Sequence, residues 1–330
     1  MRKIFIQILF CLSISSSCLA MGSAPPPATA EVVAPSISFV RTIGSSGSGD
    51  SQFLYPKDVS AGSYAGSSAG MGNIFVVDTG NNRIEVFNSD AAFLFWFGGF
   101  GNSQGKLSSP SGITIDFSQS MYVAEKDNNR IQKFDINGNF LGEFGYFGAD
   151  PGKLIEPLGI AVDSWGKIFV ADSGNNRIEK FGESGTFLDS IGGFGMSPGY
   201  FNLPSDVAID AEGCIYVADT KNDRVQKMSS NGMPVAVLGR SGGGDGEFHS
   251  PAGVTVDDKY IYVSDSGNNR IQVFNKDGMF LTKFGKTGIT PGEFNNPTGI
   301  SAGQQGSLLV ADTNNHRIQE FKVTRKQEKL

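Results

Sequence analysis

The sequence predicts an all-β protein, a six-bladed β-propeller of four-stranded blades whose ring is closed by the N-terminal strand pairing into the last blade. Three observations carry this expectation. A block of about 47 residues recurs six times. Each complete block holds four short runs in which apolar and polar residues alternate, the two-residue period of a strand. One lone strand-like run stands ahead of the first block, and the last block ends without its fourth run.

From the N-terminus, Arg2 and Lys3 precede an apolar run, Ile4 to Ile14, interrupted by Gln7 and Ser13. That run is too short to span a bilayer. A positive start, a short apolar core and small residues before a cut site read as a secretory signal over 1–20, with cleavage after Ala20. Cys18 offers a second outcome, a lipid anchor, although the aliphatic residue expected three positions earlier is Ser15. Either outcome implies an exported protein, secreted, periplasmic or in the cell envelope, with no transmembrane span. Residues 21–35 are small and Pro-rich and are expected to form an extended linker. The propeller is expected over 36–323, followed by a charged tail, 324–330.

The repeat is legible in two markers. The segments DTGNNRIEVF, EKDNNRIQKF, DSGNNRIEKF, DTKNDRVQKM, DSGNNRIQVF and DTNNHRIQEF place Arg83, Arg130, Arg177, Arg224, Arg270 and Arg317 at spacings of 47, 47, 47, 46 and 47. Pro56, Pro110, Pro157, Pro204, Pro251 and Pro297 open an apolar alternation in each unit, the first spacing being 54. The extra length falls in AGSYAGSSAGMG, residues 61–72, a small-residue loop insertion. In the third unit the runs are GIAVD, KIFVAD, RIEKF and TFLDSIG, punctuated by Gly, Asn, Asp and Pro. No unit has a 3.6-residue apolar period, which excludes helical repeats, and four strands per 40–50 residues is propeller arithmetic. The segment SFVRTIG, residues 38–44, matches fourth runs such as TFLDSIG and therefore completes the sixth blade.

These units resemble the NHL-repeat family, whose blades read P-x-G-[IV]-x-[VI]-D and then [IV]-[YF]-V-A-D-[ST]-x-N-x-R-[IV]-Q-x-F. The resemblance covers roughly residues 38–322, and Asn315-His316-Arg317-Ile318 comes close to the triplet that names the family. It implies the propeller fold and leaves function open. Some similar propellers are enzymes. Peptide-amidating lyases use histidine-held zinc, and lactonase-like propellers hold a divalent metal in the channel. Others bind RNA through a basic top.

Residues present in every unit are expected to be structural. Asp78, Glu125, Asp172, Asp219, Asp265 and Asp312 end the second strands, each five residues before its arginine. The carboxylate is expected to accept turn N–H groups and the guanidinium to pair with carboxylate or carbonyl oxygens. Gly80, Gly174 and Gly267 suit positive φ in the turn. The longer Glu125 is expected to shift its own turn. Phe53, Leu107, Leu154, Phe201, Phe248 and Phe294, in the connections between units, are expected to wedge between blades, and Cys214 to be a small buried residue.

Function is sought where the symmetry breaks. Strand parity puts the blade-to-blade connections and the D…R turns on one side of the disc, the top. The two residues after the first glycine of each connection are Ser45-Ser46, Gly99-Phe100, Tyr146-Phe147, Gly193-Phe194, Arg240-Ser241 and Lys286-Thr287. Phe100, Tyr146, Phe147 and Phe194 would give an aromatic sector, a surface for a protein, peptide or glycan, unless the rings fold down between blades. Arg240 and Lys286 would make the opposite sector polar and partly cationic. On the first strands, Asp58 and Asp206 stand where the other units have Gly112, Gly159, Gly253 and Gly299. Three blades apart, they face each other across the channel. No cofactor is expected: the pair would bond to nearby backbone, the alternative being a single divalent cation held between them. His249 and His316 also map to the top, without a third ligand.

Composition narrows the class. The net charge of −6 and a near-neutral top argue against nucleic acid. Two histidines in total cannot supply a three-histidine metal site. No G-x-S-x-G, P-loop or Cys/His cluster is present. A non-catalytic binding propeller is therefore the preferred expectation; the alternative is a metal-dependent lyase or lactonase-like enzyme with its site at the channel.

Overall fold

A computed structural model describes residues 33–62 and 72–325. The signal-like segment with Cys18, most of the linker, residues 63–71 of the insertion and residues 326–330 of the tail lie outside the described residues.

Six four-stranded antiparallel sheets form the blades of a propeller. Blade 3 is typical, with strands Pro157–Val162, Ile168–Asp172, Arg177–Phe181 and Phe187–Gly192 from the axis outward. The first strands of neighbouring blades touch one another all round the ring and so line the central channel. Blade 6 is assembled from both ends of the chain. Ser36–Ile43 pairs antiparallel with Arg317–Thr324, from Ser36 opposite Thr324 to Ile43 opposite Ile318, with a bulge between Phe39 and Arg41. This is the closure expected from the missing fourth run.

The core lies between blades. A second strand such as Ile74–Asp78 is buried at all five positions because a blade covers each of its faces. Phe169, Ala171 and Ile178 of blade 3 meet Val207, Ile215, Val217 and Met228 of blade 4, with Phe201 of the connection in the same cluster. Phe53, Leu107, Leu154, Phe201, Phe248 and Phe294 are all fully buried, and each enters such an interblade cluster. Dense contact on both blade faces is what stiffens the disc. Cys214 is buried just ahead of the second strand of blade 4. Among the described residues no helix is long and apolar enough to cross a membrane.

Candidate functional site

The repeated Asp and Arg tie each connection down onto its blade, which is how the top face acquires its shape. In blade 5 the Arg270 guanidinium donates to Asp265 Oδ2 (2.7 Å) and to the connection carbonyls of Gly243 (2.9 Å), Gly244 (2.6 Å) and Glu247 (2.9 Å). Asp265 Oδ1 accepts the His249 N–H of the same connection (2.8 Å). The pattern repeats at Asp78–Arg83, Asp172–Arg177, Asp219–Arg224 and Asp312–Arg317. The carboxylates thus take backbone N–H groups from the connections and, from the turns as expected, an asparagine side-chain N–H, as Asn268 donates to Asp265 Oδ2 (2.9 Å). The turns themselves have no side-chain cap.

Two further details depart from expectation. Positive φ sits at the residue before each arginine, as at Asn82 (+55°) and Asn269 (+54°), and not at the glycines. Gly80 is required for a different reason: a Cβ there would stand 2.6 Å from the Leu54 carbonyl oxygen. Glu125 keeps the shared bonds, to the Ser108 N–H (2.9 Å) and Arg130 Nε (2.6 Å). Its extra methylene is taken up in the turn, which lacks the 3-10 geometry of the other five.

A third strand position supplies a polar filler next to each pair. In four blades it is glutamine. Gln272 donates to the Glu247 carbonyl (2.7 Å) and Asp265 Oδ2 (3.0 Å) and accepts the Gly246 N–H (2.9 Å). Gln132, Gln226 and Gln319 do the same. In blades 1 and 3 it is Glu85 and Glu179, so one arginine faces two carboxylates. Burial, opposed in part by the arginine, pushes both glutamates up to about 7.

On the top rim the connections fold back on themselves through short parallel bridges: Phe100 with Leu107, Phe147 with Leu154, Phe194 with Phe201. The second residue of each bridge is fully buried. The first points away and is exposed, 77% at Phe100, 70% at Phe147 and 72% at Phe194. The rings therefore do not fold down between blades. Tyr146 is exposed as well and holds φ +76°, a conformation that a side chain of this size rarely adopts. Met196 and Tyr200 extend the apolar sector along the connection into blade 4.

The opposite sector is less cationic than its sequence implies. Arg240 is paired with Glu247 (2.9 Å) and Lys286 with Glu293 (3.3 Å). It is also not purely polar, since Tyr55 and Ile289 are exposed there. His316 Nδ1 accepts the Tyr55 N–H (3.0 Å), which places that histidine in a packing role. Sequence reasoning did not single out Phe117 and Trp165, both exposed on the bottom hairpins of blades 2 and 3. The available signal was that, among the five units without the 61–72 insertion, these two hairpins alone carry a large aromatic residue between first and second strands.

The channel has a waist at Asp58 and Asp206. A chamber of about 370 Å³ lies on the top side and one of about 170 Å³ beyond, and both carboxylates line both chambers. Asp58 Oδ1 accepts the Val59 N–H (2.8 Å) and Oδ2 the Ile113 N–H of blade 2 (2.9 Å). Asp206 does likewise with Val207 (2.9 Å) and Val254 of blade 5 (2.8 Å). The carboxylates thus stitch first strands together. Burial pushes Asp58 up to about 7, and burial followed by the Asp58 charge pushes Asp206 well up. Every carboxyl oxygen of the pair already accepts a backbone N–H. Among the described residues no group of three or more His, Cys, Asp or Glu could hold a metal. Two such carboxyls fall short of the oxygen cage that a hard divalent cation takes.

Comparison with known proteins agrees with this geometry. The NHL repeat family model matches residues 154–181, 201–228, 248–274 and 294–321. No curated protein matches the sequence. Among solved structures, a streptogramin B lyase is 14% identical with a TM-score of 0.60, covering 88% of this chain and 98% of its own. An auxiliary nutrient binding protein from Bacteroides thetaiotaomicron is 12% identical (TM-score 0.60; 83% of this chain, 70% of its own). A gluconolactonase from Xanthomonas campestris is 14% identical (TM-score 0.59; 83% and 88%). At such identities the likeness is one of fold. Four repeats of this chain thus match the NHL repeat model, and they lie within a closed ring of six four-stranded blades.

Proposed function

We propose that the protein is an exported, non-catalytic binding propeller that holds a protein, peptide or glycan on its top face. The observation that carries this reading is the exposure of Phe100, Phe147 and Phe194 on three successive connections whose bridge partners are fully buried. Large, stiff rings on preformed loops offer apolar contact area with little ordering entropy to lose. The interblade core fixes the loops beneath them, so recognition needs no rearrangement. Replacing Phe100, Phe147 and Phe194 together with Ser is expected to change stability little, because surface substitutions stay near ±0.5 kcal/mol each. The same variant is expected to lose capture of the partner that the wild type retains from envelope or culture-fluid extracts. Undiminished capture, or collapse of the fold, counts against the reading. Mass analysis of the mature N-terminus tests export: a chain beginning at Met21, or one lipidated at Cys18, supports it, and a chain retaining residues 1–20 unmodified does not.

A second reading, a metal-dependent lyase or lactonase-like enzyme, draws on the facing pair Asp58 and Asp206. Elemental analysis separates the two. The binding reading expects no stoichiometric divalent ion in the purified protein, and one ion per chain would favour the enzyme.

A further inference from the structure

The residue after each first-strand proline points the repeat into the top chamber of the channel. These six positions are Lys57, Ser111, Leu158, Ser205, Ala252 and Thr298, and all of them line it. Five are uncharged and one is a lysine. The three hydroxyls are committed to neighbouring backbone. Ser111 Oγ donates to the Pro157 carbonyl (2.8 Å), Ser205 Oγ to Ala252 (2.7 Å) and Thr298 Oγ1 to Lys57 (2.7 Å). The Lys57 ammonium is different. Among the described residues no carboxylate lies within ion-pair distance of it, and no hydrogen bond from its Nζ is made.

The acids around the chamber are engaged elsewhere. Asp58 and Asp206 each accept two backbone N–H groups, and Asp127 Oδ2 accepts the Ser109 hydroxyl. Lys126 adds a second positive charge to the same wall. It breaks a pattern too, standing where the other units have Thr79, Ser173, Thr220, Ser266 and Thr313. Glu156 pairs with Lys126 at 3.5 Å on the exposed side. Burial first, and Lys126 second, hold the Lys57 amine below its ordinary range. An ammonium ion that has left water without gaining a counter-ion is destabilised, and an incoming anion relieves that state.

We propose that the top chamber binds a small organic anion, a carboxylate bearing a short apolar body, with Lys57 as its counter-charge. The chamber volume of about 370 Å³ falls in the range of small-ligand sites. Its wall is largely apolar once the hydroxyls are satisfied, with Leu158 and Ala252 beside Gly159 and Gly299. The carboxylate takes the free donors of Lys57, and the body rests on that wall. The chamber contains none of the rim aromatics, so the Phe-to-Ser variant described above leaves this site intact and the two readings fail separately.

The test is isothermal titration of the full chain with sodium hexanoate, with hexan-1-ol and acetate as probes lacking the charge or the body. Hexanoate is expected to bind at least tenfold more tightly than either. Lys57→Met is expected to weaken hexanoate at least tenfold and to leave hexan-1-ol unchanged. Absence of hexanoate binding, equal binding of hexan-1-ol, or full retention in Lys57→Met overturns the proposal. Should Lys57→Met not fold, the wild type with its lysines reductively methylated gives the second measurement. The carbon-13 resonance of Lys57, assigned by its loss in Lys57→Arg, is expected to titrate at higher pH with hexanoate present. An unchanged titration overturns the proposal.

Discussion

Deleting residues 36–43 is expected to open the ring and abolish the single cooperative unfolding transition. Those residues form the outer strand of blade 6, paired along their length with Arg317–Thr324. Three kinds of interaction disappear together. The backbone ladder is lost, and the edge of Arg317–Thr324 is bared to intermolecular pairing. The Ile43 side chain leaves a cluster that joins Leu309, Ala311 and Ile318 of blade 6 to Val59, Ile74 and Val76 of blade 1. Arg41 gives up both Glu320 (2.6 Å) and the Ser89 carbonyl of blade 1 (2.6 Å). The last two losses matter most, because they bind the final blade to the first. The seam without covalent continuity lies within blade 6, between Ser36–Ile43 and Arg317–Thr324, since residues 44–57 join the first of these strands to blade 1. Calorimetry of the truncated chain is expected to show a fall in Tm of well over ten degrees, on the order of several kcal/mol, together with aggregation. Ile43→Ala, a milder lesion, is expected to cost about 2–5 kcal/mol. A truncated protein that melts like the full chain would show that the ring does not depend on its clasp.

The double variant Glu85→Gln, Glu179→Gln is expected to be more stable than the wild type above pH 7 and no more stable near pH 4. Both glutamates are fully buried, and each sits with an aspartate against one arginine. Four blades solve the same position with glutamine, whose Nε2 donates to the aspartate or glutamate and to a connection carbonyl. A glutamate can imitate that only by carrying a proton. Folding raises both pKa values from 4.5 to about 7, burial being the leading cause. The sign follows from proton binding. Between 4.5 and about 7 the folded state holds protons that the unfolded chain has released, so stability falls as pH rises through this window. The contribution is complete below 4.5 and gone above about 7. Each pKa unit corresponds to about 1.4 kcal/mol, so above about 7 each charged glutamate costs on the order of 3 kcal/mol of the stability present at acid pH. Among the described residues Glu179 Oε2 is buried with no hydrogen-bond partner, which marks it as the more stressed of the two. Denaturant melts at pH 5 and pH 8 check this directly. Parallel stability curves for wild type and variant across that range would remove the argument.

Much of the candidate site was legible because the repeat is itself a measurement. Six aligned copies separate what every blade needs from what one blade adds. Phe100, Phe147 and Phe194 stand out against small residues, as Asp58 and Asp206 do against glycine. Whether the rings point out or in was not legible, because it depends on the bridges to Leu107, Leu154 and Phe201. The charges of Arg240 and Lys286 look free in sequence, yet Glu247 and Glu293, each seven residues on, close back onto them. Glu85 and Glu179 pass as conservative replacements for glutamine until burial makes the difference of one proton decisive. Lys57 reads as an ordinary surface lysine until the first strands converge on the axis.

The sequence alone determined the fold, the number of blades, the closure by its own ends, and which loops share a face. These are consequences of period and parity, which survive in one dimension because every residue of a strand alternates and every blade repeats. The tertiary structure alone decided which groups lose water and which groups meet. The two aspartates facing across the waist lie far apart along the chain; the second carboxylate beside Arg83 and Arg177 is only two residues from its arginine but takes its character from burial, as does Lys57, which has no ion-pair partner among the described residues. Their energies depend on desolvation and distance, and neither exists until the ring has closed.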